Sequence, residues 1–338
     1  MARWTGELRK DPEVFGELAP WWNDQPIVRC NPYLRTEVLQ GWEDGWFMPG
    51  STLRVAVLSR DDQPVAALPL FRCQGRYRSI GASWVEPFDV VGATDPEVVA
   101  FLPRWLDGLS YAVLNRVRGS SPIVALLDSA PRWRERRSWD APFIDLSEGI
   151  VGVRVSLGSN LMRKLRRRER RLRELGELSF VHLDTFDADL AESGLELEAA
   201  GWKGRDGVAM LHRPRHLPWF RHLTEALGEL GFLRMSGLYL EDRLVAFAHD
   251  VDGDGERLST VSSYEEAHDV ARCSPGLLLL EDILDRASSQ GVGAYQLGGD
   301  PAPWKEAWAS GWARTVDLQV FGSGVAGRVL RAWSGLRS

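Results

Sequence analysis

Cysteine is scarce in this chain: three in 338 residues, Cys30, Cys73 and Cys273, widely separated and odd in number. That excludes a disulfide framework and a paired metal knuckle, and leaves each thiol as a small apolar side chain. His212 and His216 have the spacing of a helical metal pair, but Pro214 falls between them and no carboxylate completes the motif, so no metal is expected. Long hydrophobic runs are missing too: no stretch approaches the roughly 18 uncharged apolar residues that span a bilayer. The first residues, with Arg3, Glu7, Arg9, Lys10 and Asp11, lack the apolar core of a signal peptide, and a cytoplasmic location is expected. There is no phosphate-loop lysine motif, no nucleophile elbow, no dinucleotide glycine fingerprint and no Cys-His arrangement of recognisable spacing. Positive charge is not in excess, with 41 Lys and Arg against 47 Asp and Glu for a net charge of −6, which argues against a general nucleic-acid binder.

What is present starts with size. At 338 residues with 44% hydrophobic side chains, the chain has ample material for a buried core and for two domains. Its positive charge is gathered in one place: Arg163, Lys164, Arg166, Arg167, Arg168, Arg170, Arg171 and Arg173 stand against Glu169 alone. Helical spacing turns Leu161, Leu165 and Leu172 inward, so the arginine stems cover apolar surface on a solvated helix, or the helix holds an anion locally. A phosphate of the donor, a tRNA backbone and the acidic body of the protein are the candidate anions. A membrane-surface role fits least, because the apolar face is interrupted.

An internal repeat organises the chain. Leu53 to Ala66 laid over Leu233 to Ala246 without gaps matches Leu53/Leu233, Arg54/Arg234, Leu58/Leu238, Asp62/Asp242, Val65/Val245 and Ala66/Ala246. Both copies read as hairpins, an apolar strand reaching a short charged turn and a second apolar strand returning. Two such copies imply two similar domains in tandem. Elsewhere the pattern predicts helices over 96–109, from about Asn160 to near Gly176, and over 187–200, 219–230 and 275–288. It predicts strands over 112–117, 123–127, 178–183, 257–264, 294–297 and 315–321. Residues 149–158 read as the junction.

Three places carry chemistry. Ser274 is an eligible N-cap, Pro275 suits a first helical position, and Gly276 with Leu277 lets backbone approach a ligand, so the turn after Arg272 offers a helix N-terminus to an anion. Gln296 runs through Gly298 and Gly299 into Asp300-Pro301, a chain reversal followed by a short helix bearing Trp304 and Lys305. Glu198 sits where one helix ends at Gly201, followed by Trp202 and Lys203: Glu198 is placed to take a proton from an attacking amine, and Trp202 to wall an acceptor pocket or to anchor packing. Tyr264 ends a strand just before the Arg272 turn and is the candidate acid for a leaving group, with Asp269 and His249 as rivals.

The order Gly201-Trp202-Lys203-Gly204, Tyr264, Arg272, Ser274-Pro275-Gly276, Gln296 to Asp300 and Trp304-Lys305 resembles the acyl-transfer half of GNAT-type N-acyltransferases. Within them it resembles the CelD/BcsL-like branch related to the FemAB/FemX aminoacyl transferases. The resemblance implies an α+β fold of tandem GNAT-like domains, each a mixed, mostly antiparallel sheet flanked by helices. Residues 1–150 form the acceptor or specificity side, and residues 151–338 the acyltransferase domain. It implies acyl-CoA or a carrier-protein thioester as donor, an amine as acceptor, and no metal. Arg272 and residues 274–277 would lie on the donor, although the family's second small residue is Leu278 here. Lys305, as the lysine of an aromatic-Lys pair, would steady the oxyanion, and Trp202, Lys203, Gln296, Gly298 and Trp304 would line the substrate. Two alternatives stand beside this reading: a FemX-like transferase using aminoacyl-tRNA through the Arg163 to Arg173 helix, and a non-catalytic tandem-GNAT scaffold binding partners through some of its fifteen tryptophans.

Overall fold

The computed structural model describes residues 2–42, 50–80, 88–127, 129–299 and 302–335. It divides into two compact units, Met1–Asp140 with Ala313–Ser338, and Ala141–Trp312. The sequence places the break at 150/151 and gives the last strand to the second domain; here that strand belongs to the first unit.

In chain order the elements are β1 (Trp4–Arg9), α1 (Glu13–Trp22), α2 (Pro26–Cys30), α3 (Thr36–Gln40), β2 (Thr52–Arg60), β3 (Gln63–Cys73), β4 (Arg76–Ser79), β5 (Val91–Gly92), α4 (Pro96–Leu106), β6 (Tyr111–Arg118), α5 (Pro122–Ala125) and β7 (Trp133–Asp145). There follow α6 (Gly149–Arg173), β8 (Leu178–Leu183), α7 (Ala188–Ala200), α8 (Trp202–Arg205), α9 (Leu217–Glu229), β9 (Leu233–Leu240), β10 (Arg243–Asp252), β11 (Glu256–Tyr264), α10 (His268–Ala271), α11 (Pro275–Ser289), β12 (Ala294–Gln296), α12 (Pro303–Trp308), β13 (Gly311–Phe321) and α13 (Val325–Gly335). The layout is α+β. The strand expected over 123–127 is instead the helical turn α5, started by Pro122 and by the Ser121 hydroxyl, which accepts the Ile123 N–H at 3.2 Å.

In the first unit the sheet order is β1-β2-β3-β4-β6-β13, with β5 on β3. β13 lies antiparallel to β6, Thr315 opposite Arg118 and Phe321 opposite Tyr111. In the second unit the order is β12-β11-β10-β9-β8, and residues 143–145 of β7 pair with β12.

The repeat has a three-dimensional counterpart. Both hairpins close through two residues, between Arg60 and Gln63 and between Leu240 and Arg243. Asp61 and Asp62 have φ of 50° and 64°, and Glu241 has φ of 54°, the left-handed backbone that tight hairpins need. Each hairpin then carries a bulge at the same place: Leu58 pairs with Ala66 and Leu238 with Ala246, leaving Val65 and Val245 outside the ladder. Their carbonyls are satisfied from elsewhere in the same unit, Val65 by the Ala93 N–H at 3.0 Å and Val245 by the Glu265 N–H at 2.9 Å.

The second unit has helices on both faces of its sheet. Alternation along β10 sends Ala246 and Ala248 into a cluster with Leu278, Leu279, Ile283 and Leu284 of α11 and with Met162, Leu165 and Leu172 of α6. It sends Phe247 the other way against Gly194 of α7, where a Cβ would stand 2.4 Å from the ring, and His249 against Phe220 of α9. α6 runs antiparallel to α11. The Ile150 N–H donates to Ser288 Oγ at 3.1 Å, and Arg154 binds Glu281 at 2.7 Å and Asp285 at 3.0 Å. Midway, Gly158 has φ of 77° and ψ of 155°, a backbone region open essentially to glycine, which splits α6 into a short first segment and the basic segment.

Two buried ionisable groups are neighbours in sequence on opposite faces. The Asp250 carboxyl accepts the Tyr295 hydroxyl at 3.0 Å, and burial pushes it up to about 7. Burial drives the His249 imidazole down to about 4. Between its ordinary 3.8 and about 7, folded Asp250 keeps a proton that the unfolded chain releases, so its contribution falls as pH rises. Between about 4 and its ordinary 6.5, unfolded His249 takes a proton that the folded chain refuses, so its contribution rises with pH. The two slopes oppose each other.

Two outcomes are expected. Gly158→Ala, with nothing within 4 Å of the new Cβ, costs about 1–3 kcal/mol from backbone strain alone, measured by urea unfolding. Asp250→Asn removes one of the opposing slopes, so its unfolding free energy relative to the parent rises steadily from about pH 4 to about pH 7. A pH-independent difference would refute the assignment.

Candidate active site

β11 is the element on which the sequence-predicted residues converge. Its parallel pairing with β12 covers only Glu256–Leu258 against Ala294–Gln296, after which β11 runs on to Tyr264 while the other chain turns at Gly298 and Gly299, both with φ of 61°. A Cβ on Gly298 would lie 3.0 Å from the Ser259 carbonyl oxygen, so the turn presses onto β11 where the pairing ends. Lys305 closes over this turn: its Nζ donates to the Gly298 carbonyl and stands 5.7 Å from the ring centroid of Trp304. Gln296 is tied back to Glu256 at 3.4 Å. Asp300 and Pro301 lie outside the described residues.

At the far end of β11, Tyr264 is 41% exposed and packs on the start of α11, where a Cβ on Gly276 would be 3.4 Å from the Tyr264 Cβ and Cδ1. Partial burial, then the Glu266 carboxylate, push its phenol above the usual value, with Arg205 opposing. The phenol is therefore protonated at neutral pH, as a proton donor must be. Ser274 departs from its expected cap role. It has φ of 52° and ψ of 58°, and its side chain caps nothing; its carbonyl instead takes the Leu277 and Leu278 N–H groups. With the Cys273 and Ser274 N–H groups spent in the preceding turn and Pro275 having none, Gly276 supplies the N–H at this helix start. Arg272 is exposed and pairs with the likewise exposed Asp269 at 3.9 Å.

The third group is bound otherwise than a base would be. Glu198 is buried, accepting Lys203 Nζ at 2.8 Å and the Met210 N–H at 2.7 Å, while Lys203 also donates to the Ser262 carbonyl of β11 at 3.0 Å. Both side chains are committed to holding the α7–α8 corner against β11. Trp202 is half-exposed, with its N–H on Glu266 at 3.0 Å; Glu266, despite partial burial, is held below the ordinary carboxylate range by Arg205 at 2.5 Å and by that N–H. Sequence reasoning missed Glu266 and Arg205, and the only signal was their place two residues beyond Tyr264 and three beyond Trp202. His249 is fully buried, with Nε2 on Thr224 Oγ1 at 3.1 Å, too deep to serve as an acid at this surface.

A second constellation has catalytic spacing without access. Ser236 Oγ and His182 Nδ1 are 2.9 Å apart and His182 Nε2 and Asp282 are 2.5 Å apart, but Ser236 is buried in the middle of β9, where no substrate carbonyl reaches. His212 lies in a 3-10 turn and His216 precedes α9, so they do not share a helix face, and among the described residues no group of His, Cys, Asp or Glu gathers to hold a metal.

This arrangement falls inside a recognisable stretch. Residues 159–306 match the acetyltransferase (GNAT) domain family. The fold of the whole chain is similar to that of FemX, with TM-score 0.62 and 12% identity over 96% of this chain and 100% of that one. It is also similar to L-PGS from Bacillus licheniformis, with TM-score 0.57 and 13% identity over 97% and 95%, and to a conserved protein of unknown function from Bacteroides thetaiotaomicron, with TM-score 0.57 and 13% identity over 94% and 100%. No curated protein matches. The matched stretch thus contains both the Tyr264–Gly276 contact and the Lys305 clasp, and no helix among the described residues is long and apolar enough to cross a membrane.

Removing Glu198 tests its reading as a structural group. Glu198→Ala strands the Lys203 ammonium and the Met210 N–H and is expected to cost about 2–3 kcal/mol in denaturant unfolding, whereas a surface base would cost almost nothing.

Proposed function

We propose that the chain is an N-acyltransferase of the CelD/BcsL-like GNAT kind, moving an acyl group from the thioester of acyl-CoA or a carrier protein to an amine. The observations that carry this reading are the contact of Tyr264 with Gly276 at the start of α11 and the Lys305 clasp on the Gly298 turn, both against β11 and both within the stretch that matches the GNAT domain family. The amine nitrogen attacks the thioester carbonyl carbon and a tetrahedral oxyanion forms. Collapse breaks the C–S bond, the thiolate takes the Tyr264 proton, and the nitrogen gives up its own proton to solvent, leaving an amide and a free thiol. Lys305 supplies fixed positive charge to the oxyanion, an effect worth several kcal/mol in a dry site. Trp202, positioned by Glu266, walls the acceptor side, and the first unit selects the acceptor.

A FemX-like transfer from aminoacyl-tRNA is the second reading, and one observation favours it: the cluster of arginines on α6. Steep loss of activity with added salt would distinguish it.

The expected kinetics separate the two halves of the site. Lys305→Ala lowers kcat by about 100-fold or more while the calorimetric Kd for acetyl-CoA stays within about twofold. Gly276→Val, pushing into Tyr264, raises that Kd instead. Full activity in Lys305→Ala removes the lysine from the mechanism.

A further inference from the structure

The basic segment of α6 is unusual in lacking internal partners. Among the described residues, Glu169 pairs with Arg173 at 2.8 Å and Arg163 reaches Asn160 at 2.9 Å, but Lys164, Arg166, Arg167, Arg170 and Arg171 are exposed without an ion pair. Like charges at this density repel one another along a helix and destabilise it unless an anion lies against them. Steps of three and four residues put Arg163, Arg166, Arg170 and Arg173 in one stripe, about 15 Å long.

The stripe borders an open groove. The bend at Gly158 sets the first segment of α6 beside it, and together they border an open groove of about 830 Å³ lined by Val151, Arg154 and Val155 from the first segment and by Arg163, Arg166, Glu169 and Arg170 from the second. Val151 and Val155 are 67% and 74% exposed, on adjacent turns. One wall is therefore mainly cationic, and the other exposes two valines beside Arg154. A duplex phosphate backbone has no use for the valines, whereas an amphipathic acidic helix satisfies both walls.

The C-terminal end of α6 also comes to the donor end of the site. α6 runs antiparallel to α11, so its first residues meet the end of α11 and its last residues come to the start. Leu172 near the end of α6 shares a buried cluster with Cys273 and Leu278, and Arg171 and Arg168 oppose the burial that raises the Cys273 thiol, so the end of α6 lies toward the turn leading to Gly276. That turn has spent most of its N–H groups internally, so it offers little to the diphosphate of a free coenzyme. A carrier-borne donor gains affinity from a second surface.

We infer that the α6 groove docks the acidic helix of a phosphopantetheinyl carrier protein, which presents its acyl thioester to the start of α11. This rests on the acyltransferase reading and names its donor. Arginine guanidinium groups suit the carboxylates of such a helix, and the valine wall takes its apolar face.

The test titrates the full-length protein with purified holo-acyl carrier protein and with a bulk tRNA pool, and separately assays transfer from acetyl-CoA and acyl-pantetheine to an amine. Saturable carrier binding is expected, weakened at least about tenfold between about 50 and 300 mM salt and by Arg163→Glu/Arg166→Glu/Arg170→Glu. Val155→Asp should weaken it as well, and both variants should keep parental circular dichroism and small-donor turnover. Absent carrier binding, carrier binding indifferent to charge reversal, or tRNA binding that alone is lost in the triple variant each overturns the proposal. Turnover of acyl-pantetheine without carrier binding leaves the acyltransferase reading standing while the docking surface falls; carrier binding with no donor turned over does the reverse.

Discussion

The three-residue parallel pairing of β11 with β12 is the constraint around which the second unit is arranged. Had the two strands stayed paired, the backbone groups of β11 beyond Leu258 would be used up in a ladder. Because they part, that edge is free to receive other groups. The Gly298 turn presses on the Ser259 carbonyl, Lys203 binds the Ser262 carbonyl, and Tyr264 meets Gly276 at the start of α11. The Val245 bulge belongs to the same arrangement, since its unladdered carbonyl fixes the Glu265 N–H just past the strand end. Positioning is thus done by backbone, and the exposed side chains are left for chemistry.

Charge is partitioned in a corresponding way. Where charged groups are buried in the second unit they are matched, Glu198 by Lys203 and Arg257 by the half-buried Asp252 at 2.6 Å, or hydrogen-bonded and raised, as Asp250 is under Tyr295. Among the described residues, Arg166, Arg167, Arg170 and Arg171 of α6 are left out of this pairing in an otherwise acidic chain. Desolvating an ion pair is costly and exposed repulsion is mild, so an unmatched cationic stripe is tolerable at the surface and would be ruinous inside.

Much of the second unit was legible because its signals are local. Two-residue turns between apolar strands announced both hairpins, Asp187 and Gly201 marked the ends of α7, and Pro275 marked the start of α11. The repeat even matched the residues flanking the bulges, although alignment alone gave no hint that Val65 and Val245 leave the ladder. Local signals misled where a competing interaction prevailed. Apolar β-branched residues at 123–127 suggested a strand, but Pro122 and the Ser121 hydroxyl start a helical turn there. Ser274 has the right side chain for a cap, yet its left-handed backbone turns the hydroxyl away and the carbonyl takes the bonds.

From residues alone came the α+β class, the hairpin repeat, the basic helix and the candidates Tyr264 and Gly276, since each depends on spacing along the chain, while Lys305 came from the family resemblance. Tertiary structure decided which of them meet. Glu198 reads as a base in sequence and becomes an internal counter-ion because Lys203 and Met210 fold back onto it. The last strand reads as part of the second domain and pairs instead with β6, some two hundred residues earlier in the chain. Both outcomes turn on long-range contacts whose partners are fixed by burial and hydrogen-bond satisfaction, which periodicity along a sequence does not encode.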